Sequence, residues 1–489
     1  MSALSALARL EAVRAGRAQP VATVRHVHIA DAPLVLVPLK LAGEAAAPLA
    51  VMAGAAPDAP SLLIVPQPRN RDQRFAFAAS LARLVLNHVE THRGEVEELP
   101  GKDGEVRLRY GDAPQLLVPN RGGVRFLRLL GRSTRFRSTE GAYAVDAAVP
   151  VLGRWLTWFA DRHDHPGSSL LGAATELLRL HWATGQSSLE DGNLAALMGW
   201  IDPPDGLDGP SAAALAEDPV RWPPAGPATD PTFDNEVLAP AIAAYDRSGG
   251  DARARERLRA AIETQVTPTW ELMWRAVGLL RALPEAAGVA RRWERDRDAF
   301  THYHQTFGEA YPQARRDPPV RAARRLHDLE RAQEAYEAQR AFDDPLVMAE
   351  QRLTGAAFGG VVTECHPERL DETGKRPKLR PLLRVATGDP VRLEPGTPVC
   401  SAARPALKGR IVEIGGGGVL VELTGGLGRR LVPEAGVVPV EGDRVCFTSR
   451  TEGSFGIARF PDREDTPWTH GGPPEDYVPT ADDAREDWS

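Results

Sequence analysis

Six arginines fall within seventeen residues, in RGGVRFLRLLGRSTRFR: Arg121, Arg125, Arg128, Arg132, Arg135 and Arg137. No acidic residue occurs from Pro114 to Thr139. A guanidinium presents a planar fork of N–H donors that matches phosphate or carboxylate oxygens. On a helix, Arg125, Arg128 and Arg132 share one face at i, i+3 and i+7, with Phe126, Leu127, Leu129 and Leu130 turned mostly elsewhere. The segment PRNRDQR adds Arg69, Arg71 and Arg74. Such a strip neutralises several phosphates and makes binding salt-dependent. The candidate nucleic-acid contacts are therefore Arg121, Arg125, Arg128, Arg132, Arg135, Arg137, Arg71 and Arg74. The competing explanation is a solvated face, or arginines paired with acids from elsewhere in the fold. Arginine is abundant throughout, 54 residues beside five lysines, as in proteins encoded by GC-rich bacterial genes. Only its clustering carries weight.

Histidine offers a second chemistry. His26/His28, His163/His165 and His302/His304 each form an H-x-H pair. On a strand, residues i and i+2 face one side, so His26 and His28 can chelate together. In ADRHDHPGS, Asp161, His163, Asp164 and His165 gather four possible ligands of the kind that zinc or manganese hydrolases use. At the end of a helix, however, an H-x-H pair cannot aim both rings alike. Histidine there also complements the helix dipole. No catalytic residue, metal ligand or cofactor is assigned, and a metal-dependent hydrolase stands as an alternative. Trp155/Trp158 and Trp270/Trp274 sit at helical spacing, which suits packing between helices more than stacking on bases.

Absent signatures narrow the field further. The sequence holds no GxxxxGK[ST] phosphate loop, so the chain is not itself a helicase, and no GxSxG, HExxH or kinase signature. Cys365, Cys400 and Cys446 are far apart and form no CxxC pair, which suits a reducing cytoplasm. The opening MSALSALARLEAVRAGR reads as an amphipathic helix without a cleavage-like site. No apolar run approaches the roughly 20 residues needed to span a bilayer, so no membrane partner is expected.

The elements that must position these residues fall into four regions. Residues 1–145 read as an α+β domain, with strands in VATVRHVHIA, PLVLVPLKLA, PLAVMA, SLLIVP, EVRLRY and PQLLVP. A helix over 71–91 places Ala78, Leu81, Val85 and Val89 on one apolar face. Residues 146–355 read as an all-α domain, including SSLLGAATELLRLHWA and, separately, ARERLRAAIE and WELMWRAVGLLRAL. Prolines in 202–232 forbid a long helix there and predict an extended wrap or loop. The helices holding RRWERDRDAF and RAARRLHDLERAQEAYEAQR mix both signs and read as solvated or interface helices.

Residues 356–461 carry short strands with Gly and Pro punctuation: GGVVTEC, LRPLLRVA, DPVRLEPG, GRIVEIGGGGVLVELTGG, RRLVPEAG and DRVCFTSR. The spacing predicts a small antiparallel β-barrel of SH3, KOW or OB type, with Gly415–Gly418 at a hairpin tip. LKGRIVEIGGGGVLVELTGGLGRR resembles a KOW-type turn, and 380–448 resembles the small β-barrel inserted in some superfamily-1 helicases. That likeness covers about seventy residues and implies a barrel that binds RNA, DNA or protein, or acts as a spacer. The final 462–489 contain nine acids and two bases, which account for the whole net charge of −7, and read as disordered. The remaining body is neutral and carries a locally basic strip.

The function expected is a cytoplasmic, non-enzymatic accessory subunit contacting nucleic acid or a nucleic-acid-processing enzyme. Its expected protein partner is a helicase or nuclease, within a bacterial antiviral-defence or DNA-processing system. A protein-assembly scaffold without nucleic-acid binding is the other alternative.

Overall fold

LVLVPLK is apolar at nearly every position, and a strand whose side chains alternate must then be covered on both faces. The structure, a computed structural model, describes residues 3–451 and 459–460, apart from 45–46, 102–103, 220, 309–316, 318, 375 and 429. Strand Leu34–Lys40 lies at the centre of a five-stranded sheet. Pro48–Gly54 and then Ser61–Ile64 extend it antiparallel on one side. Leu116–Val118 and then Leu171–Ala173 extend it parallel on the other. Val35, Val37, Met52 and Leu117 pack on one face against Leu197 of helix Leu194–Ile201 and against Leu258, Val266 and Met273 of helix Ala252–Ala282. Leu34, Leu36, Val51 and Val118 pack on the other face. Their partners there include Leu81 and Val85 of helix Arg71–Thr91, Leu127 of Arg121–Thr134, and Leu152 and Phe159 of Ala148–His163.

Several expectations change. The middle region is not all-α, because Leu171–Ala173, expected within a helix, completes the sheet beside Leu116–Val118. Residues on either side of the expected 145/146 boundary share both cores. ARERLRAAIE and WELMWRAVGLLRAL join in the single helix Ala252–Ala282, which runs through Pro268. The proline-rich 202–232 segment includes helix Gly209–Glu217, capped by Asp208 with proline in its first turn, where a missing N–H costs nothing.

Residues 21–30 alternate like a strand but form none beyond an isolated bridge at Arg25. Distant groups take their backbone donors instead. Thr23 N donates to Asp344 Oδ2, His26 N to His181 Nε2, His28 N to Ser169 Oγ and Ala30 N to Gln115 Oε1. Buried backbone donors need partners, and side chains serve as well as a ladder. His26 and His28 therefore diverge: His26 reaches Asp344, while His28 stacks on Trp293. His304 packs against Tyr110, apart from exposed His302.

The C-terminal strands close into an antiparallel barrel, in the order Ala357–His366, Leu382–Ala386, Gly418–Gly425, Lys408–Gly415, Pro398–Ser401, Arg444–Thr448. Phe358, Leu383, Ile411, Val421 and Phe447 fill it. Gly416 and Gly417 form the hairpin tip at φ 61° and 78°, values a side chain disfavours. DPVRLEPG and the described residues of RRLVPEAG form no strand, and Pro398–Ser401 supplies the remaining barrel strand. No helix among the described residues is long and apolar enough to cross a membrane. The expected disordered tail, 462–489, lies outside the described residues.

Candidate nucleic-acid interface

Asn120 starts the arginine-rich helix, its side-chain oxygen accepting from Gly123 N at 3.2 Å. Its Nδ2 donates to Gly226 O at 2.9 Å, so the proline-rich segment returns to fix this helix end. Val124, Leu127 and Gly131 face inward, and Gly131 meets helix Ala148–His163 at Thr157 and Gly153. This apolar seam orients the arginines outward or sideways.

Arg125 and Arg132 are exposed, and no hydrogen bond or ion pair among the described residues holds either side chain. Arg128 lies between them in sequence and behaves differently. Its Nη2 donates to Ala160 O at 2.6 Å and to Asp164 Oδ2 at 2.7 Å. Arg121 is exposed and lies 3.8 Å from Glu176. Glu176 in turn meets His163 Nε2 at 3.1 Å, while His163 Nδ1 bonds Leu171 O. Burial opposes the charge on His163, but the Glu176 bond, the Leu171 carbonyl and the charges of Glu176 and Asp164 together outweigh it and raise the pKa. The same bond lowers that of Glu176.

The second group assembles around Phe75. Arg71 stands 4.7 Å from the Phe75 ring centre and 5.7 Å from that of Tyr143, and Arg137 stands 5.4 Å from Phe75. Arg71 also donates to Tyr143 O at 2.8 Å, and Arg137 to Ser133 O at 2.8 Å. Arg135 lies over the adjacent Phe136 ring at 4.5 Å. Burial, then the charges of Arg71 and Arg74, bring Arg137 down to about 10. Burial and Arg71 likewise lower Arg74. The fold thus brings Arg71 and Arg74 of helix Arg71–Thr91 together with Arg137, just beyond the arginine-rich helix, as a strip that spans PRNRDQR and 121–137 requires.

The histidine and aspartate cluster at 161–165 lies against the same helix, not in a separate site. Asp164 holds Arg128, Asp161 meets Arg325 at 3.0 Å, and His163 belongs to the Glu176 pair. Its carboxylates are engaged by guanidinium groups. No group of three or more His, Cys, Asp or Glu converges to hold a metal among the described residues. Trp155 and Trp158 pack with Tyr303 inside the protein, and Trp270 donates its indole N–H to Pro57 O at 2.9 Å.

Sequence reasoning passed over Arg321, Arg324 and Arg325, reading their helix as solvated and of mixed sign. They face Asp161, Arg162 and His165. The signal was present in RAARR, which has no acid between Asp317 and Asp328. Compared with family models, curated proteins and solved structures, the chain matches none.

Proposed function

We propose that this protein is a non-enzymatic accessory factor that contacts nucleic acid through its phosphate backbone and docks a nucleic-acid-processing enzyme such as a helicase or nuclease. The reading rests on one observation: Arg125 and Arg132 are exposed, two helical turns apart, and held by no side-chain partner among the described residues. Seven residues of helix span about 10 Å, so each guanidinium can meet a separate phosphate. Arg71, Arg74 and Arg137, drawn together around Phe75, extend the positive surface beyond the helix end. Arg128 plays a structural part in this reading, because Asp164 and Ala160 occupy it.

The closed barrel is the docking module, of SH3, KOW or OB type, and the setting is a bacterial defence or DNA-processing system in the cytoplasm. A backbone contact of this kind carries no sequence preference.

The test is a salt titration of DNA and RNA binding, comparing the wild type with Arg125→Ala/Arg132→Ala. Loss of two phosphate contacts lowers the slope of log affinity against log salt by about two. Arg128→Ala instead lowers the melting temperature through loss of the Asp164 bond. Identical slopes for wild type and the double variant would sink the reading.

A further inference from the structure

An open cleft of about 300 Å³ lies across the C-terminal end of Ala148–His163, the helix that packs against the arginine-rich one. Arg162 and His165 line it with Asp161; Arg321, Arg324, Arg325 and Asp328 face them from helix Pro319–Asp343. Positions 321, 324, 325 and 328 recur at i, i+3, i+4 and i+7, which puts them on one helix face. Four guanidinium groups thus line the cleft against two carboxylates. Asp161 is engaged by Arg325 at 3.0 Å, and Arg325 also lies 3.6 Å from Asp317. Arg162 is held in place by buried Asp296 at 3.0 Å. Arg324 stands 5.6 Å from the Phe460 ring centre, and exposed Arg321 has no side-chain partner among the described residues.

We propose that this cleft holds a phosphate monoester, the terminal phosphate of a nucleic-acid strand whose backbone runs along Arg125 and Arg132. The inference rests on the nucleic-acid reading above and adds a position for the strand's end. The first argument is charge placement. Two helices bring four guanidinium groups around one depression, which suits a chain end carrying a second negative charge, whereas the exposed arginines of 121–132 follow one another as along a continuous backbone.

The second argument is proton chemistry at His165. Its Nδ1 lies 3.2 Å from Pro166 O, so the Nδ1–H donates there and Nε2 carries the lone pair. Burial and then the charge of Arg162 hold this imidazole at about 4, so it is neutral near pH 7. A dianion seated beside this ring offsets the charge of Arg162 and favours the imidazolium, which takes its proton from solvent and donates Nε2–H to a phosphate oxygen. A phosphate monoester, with a second pKa near 6, is largely dianionic at pH 7 and exerts that pull. A backbone diester carries a single charge and exerts less.

The third argument is continuity. Asp161 and Asp164 lie one turn apart on the same helix end, the first holding Arg325 of the cleft and the second Arg128 of the strip. One strand can therefore cover both.

The experiment uses the full chain and single-stranded oligonucleotides with a 5′-phosphate, a 3′-phosphate or hydroxyl ends. One phosphorylated end binds about tenfold tighter than the hydroxyl end in the wild type. That preference falls below about twofold in Arg321→Ala/Arg324→Ala, whose altered side chains are exposed. Equal binding of phosphorylated and hydroxyl ends overturns the cleft and leaves the nucleic-acid reading standing. If no oligonucleotide binds, but inorganic pyrophosphate binds the wild type and not the double variant, the nucleic-acid reading falls and the cleft remains a phosphate site. If neither probe binds, both are overturned.

Discussion

Burial holds the imidazoles of His28, His88 and His181 at about 4, well below the ordinary 6.5. In the unfolded chain each takes up a proton near pH 6.5, while in the folded chain each resists it until about pH 4. Their contribution to stability is therefore complete above pH 6.5 and is lost as the pH falls towards 4. Urea unfolding at pH 7 and pH 5 should differ by roughly a few kcal/mol, the acid side being weaker. Equal midpoints would show that these rings are not neutral in the folded protein. The same scale shows where sequence reading stops. Arg125 and Arg128 look alike in RGGVRFLR, yet one is exposed and the other is spent on Asp164, 36 residues away. Position on a helix face is local information, whereas the identity of the partner across the seam is not. His26 and His28 diverge for the same reason, since their partners Asp344 and Trp293 come from the far part of the chain.

Two glycines set how closely the arginine-rich helix approaches helix Ala148–His163. A Cβ on Gly153 would overlap the backbone of Arg135, and one on Gly131 would meet Thr157 N at 2.8 Å. Gly153→Ala must therefore push the end of the arginine-rich helix away, at a cost of about 1–3 kcal/mol. The expected result is a lower melting temperature together with weaker nucleic-acid binding, because Arg132, Arg135 and Arg137 move with that end. Gly278→Ala is the control, since nothing lies within 4 Å of its added Cβ in the exposed helix interior. There the gain in helix propensity should raise stability by up to about 1 kcal/mol. A Gly153→Ala protein as stable as wild type would show that the two helices can part freely. Elements with a strong period were legible: Ala78, Leu81, Val85 and Val89 are all buried on helix Arg71–Thr91. Leu171–Ala173 was not, because three residues buried on both faces show no period and lie inside a helical-looking run. The candidate site was half legible for a related reason. Its arginine strip is contiguous in sequence, but the cleft joins residues 161–165 to 321–325, and folding alone brings those together.

At the scale of the whole molecule, charge is segregated along the chain, and the segregation predicts how binding is regulated. Residues 462–489 lie outside the described residues, so only their composition enters: nine acids and two bases, the entire net charge of −7. Where that segment begins is better defined. Phe460 lies edge-on to His327, with ring centres 5.9 Å apart, and beside Arg324. The chain therefore enters its acidic segment next to the helix whose Arg325 meets Asp161. Twenty-eight residues extend to about 100 Å at most, so the arginine strip and the cleft both lie within reach. A tethered polyanion competes at an effective concentration near millimolar, with no diffusional search. Ending the chain at Pro461 should then tighten nucleic-acid binding severalfold at about 0.01 M salt, where charges act over about 30 Å. Near 1 M salt, where screening shortens that range to about 3 Å, the difference should vanish. Affinity that is unchanged by the truncation at low salt would assign the acidic segment to net charge alone. A difference that persists at high salt would point to a contact other than electrostatic competition.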